Sequence, residues 1–235
     1  SEIAGASLCD DYLMHSSGLV MMVSRRLDKA GIFCLDYKGT LEKRADDQHV
    51  LHHTITNQDG TKYSPDEFYC LSEDLDGQVW AGTNLGLFLI PDPTALFDSD
   101  FHFEQVKINR NDGSGLADYL LNGVSISCIA VDGANRKWIG THSDGLYLVS
   151  ADGQEMLHHF TTDDSPILSN TIQSLAVHPA TGMVMIATDK GLCSYASDAS
   201  QGTDNMDTSV SGMVHLNGPQ ALAYSRNRYL GTDFG

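Results

Sequence analysis

The stretch Ser125–Val149, S-I-S-C-I-A-V-D-G-A-N-R-K-W-I-G-T-H-S-D-G-L-Y-L-V, decides the fold. Ile126, Cys128, Ile129 and Val131 make a mostly apolar run that ends at Asp132, and the turn Gly133-Ala134-Asn135-Arg136 follows. Trp138-Ile139-Gly140-Thr141 opens a second run, His142-Ser143-Asp144-Gly145 turns the chain, and Leu146-Tyr147-Leu148-Val149 makes a third. Short runs rich in β-branched and aromatic residues, bounded by Gly, Asp, Asn and Ser, mark antiparallel strands joined by hairpins.

Working outward, the layout recurs. The Thr or Ser that closes the second strand is found at Ser24, Thr83, Thr141, Thr188 and Thr232, with spacings of 59, 58, 47 and 44 residues. Gly and Leu follow the middle three anchors: Gly86-Leu87, Gly145-Leu146 and Gly191-Leu192. A fourth strand per unit is expected at Val50–Thr56, Phe101–Val106 and Met156–Thr162, where V-L-H-H and M-L-H-H are near copies two repeats apart. Four antiparallel strands in a repeating unit of roughly 45–58 residues is the arithmetic of a β-propeller blade. The fold class is therefore all-β, a β-propeller of four-stranded antiparallel blades with about five units visible. Residues 1–196 are read as blades, 197–212, rich in Ser, Asp, Thr and Gly, as a flexible loop or linker, and 213–235 as part of a further blade.

Composition narrows the function classes. A chain of 235 residues with 41% hydrophobic residues can bury a sizeable core, and no apolar run approaches the roughly 18 residues of a membrane-spanning helix. The 14 Lys and Arg against 31 Asp and Glu give a formal charge of −17, which argues against a nucleic-acid partner and requires a local basic pocket for any anionic ligand. The first residues, S-E-I-A-G-A-S-L-C, lack a charged segment followed by an apolar one, so no signal peptide is expected in this sequence, and export stays open because a mature or truncated chain would look the same. Five cysteines without a C-x-x-C pair read as small buried hydrophobes. Cys70 and Cys128 stand at one repeat position, ten residues before Trp80 and Trp138.

The pattern I-x-[SC]-[IL]-A-x-D, turn, W-[IA]-G-T, turn, G-L resembles the two-component-regulator propeller repeat, met in periplasmic sensor halves of hybrid histidine kinases and in cell-surface proteins of Bacteroidota. Met185 replaces the usual Trp in the unit at Thr188, and the first and last units are degenerate. The order of motifs from Val131 to Tyr195 is similar to a propeller of a surface component of the type IX secretion system. That resemblance implies a seven-bladed ring, an extracytoplasmic location at the cell surface or in the periplasm, and handling of an anionic lipopolysaccharide or a secretion-system protein partner. The sensor resemblance implies instead recognition of glycan fragments. Neither implies a cofactor.

Propellers of this kind bind ligands at the channel end, where the turns between second and third strands meet the loops between successive blades. In this chain those turns hold Asn84, His142, Ser143, Asp144, Asp189 and Lys190, the candidate ligand-binding residues, with Tyr63, Asp66, Asp163, Asp164 and Asn170 beside them. Such residues could hydrogen-bond a sugar, and they are also what any solvated turn favours. The pairs His52-His53 and His158-His159 suggest a metal, but neighbours on a strand point to opposite faces. Asp74-Leu75-Asp76-Gly77 lacks the remaining positions of a calcium loop and reads as a hairpin turn. No nucleophile elbow, P-loop or paired carboxylates on a common face occur, and Asp233-Phe234-Gly235 has none of the kinase context upstream, so a non-catalytic chain is expected.

Overall fold

The computed structural model describes residues 9–25, 30–40, 42–43, 45–109, 117–199, 220–225 and 228–233, with backbone alone at 109 and in the last two segments. The chain divides into two units, Ser1–Gln201 and Gly202–Gly235. In the first, β1 (Asp11–Met14), β2 (Val20–Ser24), β3 (Gly31–Asp36) and β4 (Gln48–His52) form a four-stranded antiparallel blade. After the hairpin β5 (Ile55–Thr56) and β6 (Lys62–Tyr63), the second blade is built from β7 (Phe68–Glu73), β8 (Val79–Thr83) and β9 (Gly86–Ile90). A second inserted hairpin, β10 (Lys107–Asn109) and β11 (Ala117–Tyr119), leads to the third blade: β12 (Ile126–Val131), β13 (Lys137–Thr141), β14 (Leu146–Val149) and β15 (Met156–Phe160). The fourth has β16 (Ile172–Val177), β17 (Met183–Thr188) and β18 (Gly191–Ala196). In the second unit, β19 (Gln220–Ser225) pairs with β20 (Arg228–Asp233) as an antiparallel hairpin.

The architecture is the expected all-β one of antiparallel propeller blades, four-stranded in the first and third and three-stranded in the second and fourth, and every anchor residue lies on a second strand. The fourth strands differ from expectation in extent. The run Val50–Thr56 stops pairing at His52, and Ile55–Thr56 joins the inserted hairpin. Phe101–Val106 contributes two isolated bridges in place of a strand, Glu104 to Leu89 and Phe103 to Asn57, and Phe103 and Gln105 both turn inward, at 1% and 2% exposure. The proposed linker 197–212 lies outside the described residues beyond Ala199.

Each repeat signature has a physical cause. Asp74 and Asp132 accept two backbone N–H groups of their own turn, from Asp76 and Gln78 and from Ala134 and Arg136, each at 3.0 Å. Their second oxygens accept the indole N–H of Trp80 at 2.9 Å and of Trp138 at 3.2 Å, which fixes the Asp-to-Trp spacing of six. Gly77, at φ +78°, completes the first of these turns as a residue with a Cβ would not. Thr83, Thr141 and Thr188 close the second turn: each hydroxyl donates to the carbonyl of Gly86, Gly145 or Gly191, at 3.0, 2.8 and 2.9 Å. The same oxygens accept the N–H groups of Leu85, Asp144 and Lys190.

The first strands β1, β7, β12 and β16 lie side by side, and the core runs through the seams between blades. At two seams glycine is required sterically. A Cβ on Gly82 would stand 2.6 Å from Cys70 Sγ and 2.7 Å from Ile126 Cγ2 of the next blade; on Gly140 it would stand 2.5 Å from Cys128 Sγ and 2.7 Å from Ile172 Cγ2. Trp80 and Trp138 are fully buried, and Trp138 meets Tyr195 of the following blade at 5.4 Å between centroids. Cys34 and Cys70 are buried, as expected, whereas Cys9 is exposed. Polar contacts add to the seam between the second and third blades. Lys137 Nζ sits 2.9 Å from Asp74 Oδ2, with both side chains fully buried, and 4.9 Å above the Trp80 ring. Beside them, Asn135 accepts from the Leu75 N–H at 2.9 Å and donates to Asp76 at 2.8 Å.

Candidate functional site

In the second, third and fourth blades the second turn is tied to the loop that enters the same blade, so both lie at one end of the sheet. The Asn84 N–H donates to the Glu67 carbonyl at 3.1 Å, that of His142 to Ser125 at 3.0 Å and that of Asp189 to Thr171 at 3.3 Å. Arg25, Asn84, His142 and Asp189 each directly follow an anchor and are therefore one position in four blades.

The six candidate residues divide. The Asn84 side-chain oxygen accepts the Glu67 N–H at 3.3 Å and closes its own blade. The Asp144 carboxylate accepts the Tyr147 hydroxyl, and its carbonyl lies 2.6 Å from His159 Nε2, whose ring stacks on Tyr147 at 3.9 Å. Ser143, Asp189 and Lys190 are exposed. His142 alone reaches across a seam, its ring 4.5 Å from that of Tyr69 in the second blade. Of their neighbours, Tyr63 packs edge-on against Phe88, and Asn170 accepts the Thr162 N–H at 2.8 Å. The histidine pairs serve separate contacts: His52 Nε2 lies 2.9 Å from the Leu96 carbonyl and His53 Nδ1 2.6 Å from that of Ala30. Among the described residues no group of three or more His, Cys, Asp or Glu is placed to hold a metal ion.

A tighter constellation surrounds Tyr69. A β-bulge puts it there: Phe68 faces Thr83 and Cys70 faces Gly82, leaving Tyr69 outside the ladder. The same bulge frees Ser127 in the third blade and Gln173 in the fourth. The Tyr69 hydroxyl donates to Glu67, and the Arg25 guanidinium of the first blade stands 5.7 Å from the ring centroid. Asp10 fixes Arg25, accepting its Nε at 2.6 Å and its backbone N–H at 2.7 Å. Burial, and then the bond to Glu67, push the Tyr69 phenol above its ordinary range. Burial holds the His142 imidazole below its ordinary value, with Glu67 opposing and Arg25 reinforcing. His142 Nε2 is buried and makes no hydrogen bond. Three blades thus bring a guanidinium, a carboxylate, a phenol and a neutral imidazole together at one end.

Arg25, Glu67 and Tyr69 were not among the residues singled out from sequence. The signal for Arg25 was its place directly after Ser24, equivalent to His142 after Thr141, and for Tyr69 its place between Phe68 and Cys70, equivalent to Ser127.

These features define a class by fold, the β-propeller blade, and solved structures are similar to it over most of the chain. PorZ, an essential surface component of the type IX secretion system of Porphyromonas gingivalis, matches with a TM-score of 0.74 and 26% identity over 84% of this chain and 27% of its own. The extracellular domain of BT4673, assigned to a hybrid two-component system of B. thetaiotaomicron, matches at TM-score 0.58 and 15% identity over 82% of this chain and 25% of its own. That of BT3049, from the same organism, matches at 0.54 and 19%, over 84% and 23%. The chain therefore spans about a quarter of the length of these proteins. No protein-family model and no curated protein matches it.

Proposed function

We propose that the chain is a non-catalytic extracytoplasmic propeller segment that binds a saccharide-bearing ligand, or a protein partner in secretion, at the end where its second turns meet the inter-blade loops. The observation that carries this reading is the cluster of Arg25, Glu67, Tyr69 and His142, which converges from three blades. The likeness to PorZ supports a surface location and a part in secretion, and the likeness to BT4673 and BT3049 supports the fold. The hairpin β19–β20, with Thr232 at its anchor position, fits residues 213–235 as the start of a further blade.

Glycan arrays and lipopolysaccharide pull-downs with the 235-residue chain test the reading. Binding that falls when His142, Asp144 or Lys190 is changed to alanine is expected at the turns, and the same loss at Tyr69 is expected at the cluster. Absence of any binding refutes the saccharide role, and turnover of a polysaccharide refutes the non-catalytic assignment.

A further inference from the structure

We infer that the Arg25–Glu67–Tyr69–His142 cluster recognises an uncharged saccharide through paired hydroxyl groups and discriminates against acidic sugars; this rests on the saccharide-binding reading above.

The argument is one of donors, acceptors and charge. Arg25 spends its Nε and backbone N–H on Asp10, while its terminal nitrogens make no bond among the described residues and about half of its side chain, 48%, is exposed. Glu67 receives the Tyr69 hydroxyl on Oε2, and Oε1 remains to accept. A donor and an acceptor that both bear on Tyr69, Arg25 on its ring and Glu67 on its hydroxyl, suit a group that is both acceptor and donor, and a hydroxyl is that group. A ligand carboxylate or phosphate would satisfy Arg25 but has no proton for Glu67, and it would face two carboxylates, Glu67 and Asp10, against one guanidinium. An ammonium would satisfy Glu67 and face Arg25. A neutral imidazole adds no charge to tip the balance towards an anion. The formal charge of −17 acts in the same direction at longer range. The Tyr69 ring already touches the imidazole and lies under the guanidinium, so recognition runs through hydroxyls at its polar edge.

Isothermal titration calorimetry of the full 235-residue chain with matched pairs tests this: neutral gluco- and galacto-oligosaccharides, each against its C6-carboxylate form, with purified lipopolysaccharide as a separate arm. The neutral member is expected to bind and its uronate at least about tenfold more weakly, the size of one unfavourable interaction of about 1.4 kcal/mol. Arg25→Gln should weaken the neutral ligand about tenfold, whereas Glu67→Gln should narrow the gap by improving the uronate relative to its neutral partner. Circular dichroism confirms that both variants are folded. Uronate or lipopolysaccharide binding as tight as that of the neutral sugar overturns the inference and leaves the saccharide reading standing. A neutral preference unmoved by both substitutions also overturns it, because the ligand then sits elsewhere. No binding by any member defeats both.

Discussion

Replacing Lys137 with alanine is the most direct probe of how one blade is held to the next. Lys137 opens β13, and its ammonium is fully buried against Asp74 at 2.9 Å, over the Trp80 ring, with the Ala151 carbonyl accepting a further bond. Removing one partner of such a pair leaves an uncompensated buried charge, at a cost of about 3–5 kcal/mol. For a chain of this size that corresponds to a fall in melting temperature of roughly 6–20 °C. The double variant Lys137→Met/Asp74→Asn removes both charges, keeps volume close to native and should recover a large part of the loss, since buried pairs are often replaceable by neutral side chains. The pH profile gives a second readout. Burial raises the Asp74 carboxyl, but the bonds from Trp80, Lys137 and Gln78 outweigh it and leave the pKa below the ordinary value. A group depressed in this way contributes stability above its unfolded pKa of about 3.9 and loses it as pH falls through the folded value. Chemical denaturation at neutral pH and at about pH 3 should show a larger acid loss in the native chain than in the double variant, which keeps the other depressed carboxyls but not Asp74. A single-variant cost under about 1 kcal/mol, or a double variant worse than the single one, would refute the buried-pair account.

Other positions give sharper local tests. Gly140→Ala forces a Cβ into Cys128 and Ile172 and should cost about 1–3 kcal/mol in thermal melts, with partial recovery when Cys128→Ala is added; an unchanged melt would mean that the seam yields. Thr141→Val removes the hydroxyl from a buried donor–acceptor pair and should cost about 1–3 kcal/mol, while Thr141→Ser should cost much less. His142 takes up its proton less readily folded than unfolded, so stability should drop as pH falls through about 6.5, and His142→Phe should flatten the slope between pH 7 and 5; an identical slope would contradict its burial. Burial pushes the Cys34 thiol up to about 12, and Cys70 is also raised by burial, so a thiol reagent should label exposed Cys9 first and these two only after denaturation. Labelling of Cys70 in the native state at the rate of Cys9 would overturn its placement.

The blade repeat was legible because its causes are local. The Asp132–Trp138 spacing is set by one carboxylate within one hairpin, and Thr141 with Gly145 by one hydroxyl within one turn. Where the signature weakens, so does that chemistry: Met185 stands on β17 without an indole N–H to fix it. The inserted hairpins were hidden because Ile55–Thr56 continues the apolar run of β4. Their signal was nevertheless present, since Asn57 accepts the N–H groups of Asp59 and Thr61 much as Asp74 does in its own turn. The site was half legible. Second-turn residues could be listed by position, and His142 was among them. The pairing of Arg25, Glu67 and Tyr69 with it depends on side chains meeting across seams, which a repeat pattern does not encode.

The bulge at the second residue of the first strand has an evolutionary consequence. Tyr69, Ser127 and Gln173 take no part in the strand ladder that holds each blade together, so a substitution there leaves the pairing and the buried glycine seams untouched. A propeller built in this way can exchange one side chain in each of its second, third and fourth blades by single mutations at little cost to folding. Its capacity to acquire new ligands is thereby separated from the constraints that preserve its shape.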